Sequence, residues 1–288
     1  MTGLTLVRSP AVAGQFYPSD PEELRRTIEW CFRHDLGPGD VPEVSSGPCG
    51  IPGGVVPHAG YQFSGPVAAH TYRALAESGT PETVVILGPN HTGLGTAVAT
   101  MTSGRWRTPL GSVEIDAEFA RALVEACGVV DDNLEAHAQE HSIEVQLPFL
   151  QYLYGDAFRF VPVCMAMHDL RTAREVGESI AKVAERLGRN VVVLASTDLT
   201  HYEPHDVAQE KDRKVLERIV EMDERGMIEV VERYNVSMCG VGPTAATIVA
   251  TRLLGARRGE LLKYATSGDV TGDRAQVVGY ASVVFLPG

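Results

Sequence analysis

Short, wholly apolar runs alternate along this chain with longer stretches whose apolar residues recur every three or four positions. Residues 54–56, 83–87, 158–163 and 190–194 are rich in β-branched and aromatic side chains and, past Arg159 and Asn190 at their starts, lack polar alternation. A strand with one wet face alternates, so these runs predict strands covered on both faces. Between them, helical spacing predicts helices over residues 66–77, 116–126, 143–152, 170–187, 206–234 and 243–254. An earlier helix is signalled by Ser19-Asp20-Pro21-Glu22-Glu23, which combines a capping side chain, an early proline and acids against the positive end of the helix dipole. Leu24, Ile28 and Cys31 or Phe32 give that helix its inward face. An extended arm over 7–17 precedes it, a Pro/Gly-rich loop over 35–53 follows, and β-rich segments over 261–266 and 277–285 close the chain. The expected fold is α/β, a single domain over residues 1–288 with a mixed, largely parallel central sheet and helices on both faces.

Three apolar runs end in chemistry. Residues 55–57 lead into His58-Ala59-Gly60-Tyr61, residues 84–87 into Gly88-Pro89-Asn90-His91, and residues 191–194 into Ala195-Ser196-Thr197-Asp198-Leu199-Thr200-His201. Ligands of such sheets bind beyond the carboxyl ends of the strands. His58, His91 and His201 can therefore converge on one polar site despite their separation in sequence. Cys239 precedes the helix expected from residue 243, where the positive dipole end favours a thiolate, the form of cysteine that binds metal. Glu140-His141-Ser142-Ile143-Glu144 reads either as a helix start with its capping residues or as a loop that brings His141 to the crevice. His70 reads as a packing residue, and His34, His137, His168 and His205 have no motif around them.

Bulk properties narrow the class without naming it. Of 288 residues, 44% are hydrophobic and 22% charged, and the formal net charge is -12. No basic stripe is available for phosphates, which argues against a nucleic-acid footprint. Five dispersed cysteines without a CxxC pair suit a reducing compartment. No apolar run approaches the roughly 20 residues of a membrane helix, so a cytoplasmic protein without membrane contact is expected.

Taken together, the motifs match a known family. His58-Ala59-Gly60-Tyr61 with Ser64-Gly65, Gly88-Pro89-Asn90-His91, Glu140-His141-Ser142-Ile143-Glu144, Asp198 with His201, and Met238-Cys239-Gly240 stand in the order of the Memo family, and Ala13-Gly14-Gln15-Phe16-Tyr17-Pro18 resembles its opening segment. Such proteins are also called AmmeMemoRadiSam system protein B, for their association with radical-SAM and AMMECR-type partners. The family fold is similar to that of class III, LigB-type extradiol dioxygenases, which hold non-haem iron with two histidines and a carboxylate. The resemblance implies His58 and His91 as metal ligands, with Cys239 where the carboxylate would stand. It implies His201 as the acid/base histidine, Asp198 as its catalytic companion, and Tyr61, Asn90 and His141 as substrate contacts. The implied cofactor is one transition-metal ion, iron ahead of copper or zinc, with the thiolate shifting preference toward Cu(I), Zn(II) or thiolate-bound iron.

Four functions follow from this reading. The first is a metal-dependent redox enzyme acting on a small molecule or dioxygen. The second is a binding module for a phosphopeptide or anion, although no arginine stands in these motifs to grip phosphate. A Cys–His hydrolase with Cys239 as nucleophile is the third. An accessory role beside a radical-SAM enzyme is the fourth, and it is compatible with the first.

Overall fold

The computed structural model describes residues 6–288. Its first half runs β1 (Val7–Arg8), α1 (Pro21–Arg33), β2 (Gly53–Val56), α2 (Tyr61–Ser78), β3 (Thr83–Pro89), β4 (Val98–Thr100), β5 (Arg105–Thr108), β6 (Gly111–Glu114), α3 (Ala117–Ala126), β7 (Asp131–Asp132), α4 (Glu135–Ala138) and α5 (Leu147–Tyr154). The second half runs β8 (Arg159–Met165), α6 (Leu170–Leu187), β9 (Val191–Ser196), β10 (His201–Glu203), α7 (His205–Val220), α8 (Glu224–Arg233), α9 (Val241–Leu253), β11 (Ala256–Thr266), α10 (Ser267–Thr271) and β12 (Val277–Pro287). The main sheet has the order β10-β12-β2-β9-β3-β8-β4-β7, with β11 paired to β12, and β1, β5 and β6 form a separate small sheet.

The four apolar runs become β2, β9, β3 and β8, a continuous parallel core flanked by antiparallel β12 and β4. Register decides where the site lies. Val56 pairs with Ser196, Ala195 with Leu87, and Leu87 with Val163, so the four strands finish at one level. Both faces are covered, as the lack of polar alternation requires. A methyl group added at Gly53 would meet Thr251 of α9, and one at Gly54 would meet Thr71 of α2, so successive residues of β2 face opposite helix layers. The mixed α/β architecture with helices on both faces is the one expected from the sequence.

Several boundaries differ, each for a local reason. The helix expected from residue 66 begins at Tyr61, with Gly60 at the N-cap position and Pro66 inside the helix. The long helix expected over 206–234 is two, α7 and α8, broken where Met222 takes a left-handed backbone (φ 56) and Asp223 caps the second piece. The start expected at residue 143 is a short 3-10 turn (Glu144–Gln146), followed by α5 from Leu147. No helix among the described residues is long and apolar enough to cross a membrane.

A buried carboxylate ties three helices together on the α6–α9 side. Glu224 of α8 accepts two hydrogen bonds from Arg174 of α6 (3.0 and 2.8 Å) and others from Arg252 of α9 (2.8 and 3.3 Å). Its buried position would raise the carboxyl pKa, but the two guanidinium groups hold it down at about 2. Replacing it leaves two arginines facing each other. Glu224→Gln is expected to cost about 2–3 kcal/mol in urea unfolding; an unchanged midpoint would show that the clamp contributes nothing.

Candidate metal centre

His58 follows β2 and is buried, only 3% exposed. Its backbone N–H donates to Asp198 Oδ1 (2.8 Å), and its ring Nδ1 lies 2.9 Å from Ser196 Oγ at the end of β9. Burial, followed by the neighbouring His141 and His91, holds its pKa well below the ordinary imidazole value. The ring is therefore neutral, the state in which an imidazole binds metal.

His91 reaches the same place from β3, and a single carboxylate organises it. Glu140 accepts the His91 backbone N–H (2.5 Å) and faces His91 Nδ1 (2.9 Å). It also accepts the backbone N–H groups of His141 and Ser142, both at 2.9 Å. Burial alone would raise the Glu140 pKa; the bonds from His91 and Ser142 pull it to about 2. A carboxylate at Nδ1 requires that nitrogen to carry the proton, which leaves Nε2 free to ligate, the usual arrangement behind a metal-bound histidine. The Glu140 loop can approach this closely because residue 88 is glycine: a side chain there would collide with Ser142.

The same loop carries His141 into the cluster. Ligand atoms of His58, His91 and His141 all lie within 4.8 Å of one another, the spacing of a group able to share one ion. The His91 and His141 rings stack (centroids 4.7 Å, 21° between planes), and His58 stands edge-on to both. Burial and His91 lower the His141 pKa, although Glu140 opposes the shift. His58 is buried, His141 half-buried and His91 exposed, so the cluster opens to solvent on one side.

Cys239 stands at the edge of this trio. Its Sγ is 3.3 Å from His58 Nε2 and accepts the Asp198 backbone N–H at 3.2 Å. The expected thiolate is not what the surroundings favour. Burial first, and then the adjacent Asp198 carboxylate, push the thiol pKa up to about 12, against hydrogen bonds from the Asp198 backbone and Thr197. The group becomes a thiolate only beside a cation. Asp198 itself is pushed up to about 6 by burial, despite bonds from the His58 and Ala59 backbone. Asp198 thus holds the His58 backbone and borders the sulfur.

His201 lies half-buried on the rim. Its backbone N–H donates to Ser237 Oγ (2.7 Å), and its Nδ1 faces the Ser237 carbonyl at 2.8 Å. A carbonyl can only accept, so Nδ1 carries a proton and Nε2 is the basic nitrogen of the neutral ring. His168, which no motif marked, follows the fourth parallel strand. Its Nδ1 accepts the Gly242 backbone N–H (3.1 Å), so its proton is on Nε2.

Two expected substrate contacts are occupied elsewhere. The buried Tyr61 hydroxyl donates to the Val145 carbonyl at 2.6 Å, and its ring packs on Phe149. Asn90 spends its side chain on its own loop: Oδ1 accepts from Thr92 and Gly93, and Nδ2 donates to the Leu94 carbonyl. Both residues shape the walls, and of their polar groups one Asn90 Nδ2–H is left over by these bonds.

Glu140 is the support whose loss should be felt first. Glu140→Gln replaces an acceptor of several N–H groups by an amide and is expected to cost about 2–4 kcal/mol in urea unfolding. The sign with pH follows from its lowered pKa: its contribution is complete above the unfolded value and fades as pH falls toward about 2. The variant should therefore show a flatter acid limb. An identical pH–stability curve would contradict this role.

Comparisons with known proteins agree with the motif reading. A family model described as Memo-like protein matches residues 8–284. A MEMO1 family protein of Methanopyrus kandleri is 79% identical over 281 residues, covering 98% of this chain and 99% of that one. Another, from Methanothermobacter thermautotrophicus, is 54% identical over 276 residues, covering 96% and 99%. The crystal structure of an uncharacterized protein from Escherichia coli K12 matches with a TM-score of 0.50 at 13% identity, covering 81% of this chain and 99% of that chain. That last likeness concerns the fold alone. Matched along nearly its whole length by the family model and by these relatives, this chain belongs to the Memo family.

Proposed function

We propose that this protein binds a single transition-metal ion, iron or copper, and is a metal-dependent redox protein acting on a small molecule or dioxygen. The observation that carries the reading is the spacing: ligand atoms of His58, His91 and His141 lie within 4.8 Å of one another, and the Cys239 sulfur is 3.3 Å from His58 Nε2. Imidazoles and a thiol suit borderline and soft ions, and the absence of a carboxylate set disfavours magnesium or calcium. His58 and His91 are the ligands, with His141 and Cys239 as the further donors beside them. When bound, the ion supplies an electrophilic, redox-active centre at the exposed side of the cluster.

The protein's own groups divide the remaining work. Glu140 and Asp198 hold the His91 and His58 loops in place. His201 offers a basic Nε2 at the rim, able to take a proton from a substrate hydroxyl, and His168 offers an Nε2–H donor to a developing negative charge. Leu94 and Met167, on the loops after β3 and β8, and Tyr202 on β10 are exposed large side chains.

The 3.3 Å Cys239–His58 contact is also the geometry of a nucleophilic Cys–His pair. Its electrostatics run the wrong way for that chemistry. An activated pair is a thiolate beside an imidazolium, whereas here burial raises the thiol and lowers the imidazole. Metal ligation resolves the mismatch by supplying the positive charge.

Elemental analysis of protein purified without a histidine tag or added metal is expected to find iron or copper in stoichiometric amount, lost in His58→Ala and His91→Ala. Metal binding to the wild type should release about one proton per ion from the thiol, read by calorimetry in buffers of different ionisation enthalpy, and Cys239→Ser should release none. Metal-free wild type that takes up no iron, copper or zinc would end the proposal. Thiol alkylation equally fast with and without metal would favour the nucleophile.

A further inference from the structure

We infer that Ser196 and Gln146 are positioning residues that lock His58 in its Nδ1–H tautomer, so that the Nε2 lone pair is always the one presented to the cluster. The functional consequence rests on the metal reading above; the tautomer does not.

The argument is a count of protons through a buried chain of four groups. Gln146, Ser196, Ser142 and Tyr72 are all inaccessible to solvent, so each polar atom must find its partner within the protein. Gln146 comes first. One end of its amide lies 3.0 Å from the Pro57 carbonyl and 2.8 Å from Ser196 Oγ, and the other accepts the Tyr72 hydroxyl at 2.6 Å. A carbonyl cannot donate, so the end facing Pro57 is the NH2 group. The amide orientation is fixed, and Gln146 donates to Ser196.

Ser196 has one proton to give. Its Oγ is 2.6 Å from the Ser142 carbonyl, which has no other hydrogen-bond donor among the described residues. The hydroxyl proton therefore goes to Ser142. One Oγ lone pair is taken by Gln146, and the other faces His58 Nδ1 at 2.9 Å. His58 must bring the proton to that contact. The opposite tautomer would set two lone pairs against each other in a site without water access. With Nδ1 protonated, Nε2 is bare, and this is the atom 3.3 Å from Cys239 Sγ.

The lock reaches beyond one ring. Pro57 adjoins His58 and Ser142 adjoins His141, so the same chain ties together two loops of the histidine cluster. His168 shows that a tautomer is set by its neighbours and is not shared by default, since the amide N–H of Gly242 imposes the reverse assignment there. Neither Ser196 nor Gln146 would meet an ion directly. Both act through His58.

Nitrogen-15 NMR of histidine-labelled, metal-free protein reads the tautomer without any metal. Wild type is expected to show His58 protonated at Nδ1 and bare at Nε2. Ser196→Ala should give a mixture of tautomers and weaken zinc binding about 10–100-fold, and Ser196→Thr, which restores the hydroxyl, should recover both. A wild-type ring protonated at Nε2 overturns the inference, as does Ser196→Ala with unchanged tautomer and zinc affinity. Wild type with the expected tautomer but no zinc binding upholds the lock and overturns the metal reading. The wild-type spectrum needs no variant, so misfolding of Ser196→Ala does not remove the test.

Discussion

A buried imidazole has to be neutral, and its Nδ1 needs a partner; at His58 that demand shapes everything around it. Water is excluded, so Ser196 supplies the acceptor, and Ser196 in turn needs Gln146 and the Ser142 carbonyl to complete its own bonding. His91 solves the same problem with a carboxylate, Glu140, whose remaining capacity is filled by backbone N–H groups of the loop that delivers His141. The groups that orient these two rings lie on their Nδ1 sides, and the Nε2 of His58 faces Cys239 Sγ in the shared space.

That arrangement depends on the parallel core and on the N-terminal arm. Level strand ends bring the loops after β2, β3 and β9 together. The loop carrying Glu140 and His141 belongs to no strand and is held from outside. Buried Glu144 pairs with Arg8 and accepts bonds from the Ala11 and Val12 backbone (2.7 and 3.1 Å) and from the Tyr17 hydroxyl. Arg8 also donates to the Glu140 carbonyl at 2.6 Å and the His137 carbonyl at 3.1 Å. The arm is therefore a clamp on the site loop. Removing one partner from such a fully satisfied buried network costs more than the net worth of the pair.

What the sequence made legible follows from periodicity and strand ends. Apolar runs without polar alternation mark β2, β3, β8 and β9, and His58 and His91 are visible as histidines just past two of them. His141 was ambiguous because its placement depends on Glu140 bonding backbone groups, a tertiary arrangement with no period to read. His168 carries no motif, and its tautomer depends on an amide in a helix 74 residues away. A sequence does not show that the Tyr61 hydroxyl bonds Val145 or that Asn90 Oδ1 is engaged by its own 90–94 turn. At Cys239 the position ahead of a helix is legible, whereas burial beside Asp198, which raises the thiol pKa when no cation is near, is not.

The central claim is that imidazole nitrogens and one sulfur from these separate loops meet on a single ion. X-ray absorption at the metal edge of zinc-loaded protein tests it most directly. The account predicts imidazole scattering from at least two histidines with nitrogen at about 2.0–2.1 Å and a sulfur at about 2.3 Å. A shell of oxygen atoms without imidazole scattering or sulfur would contradict it.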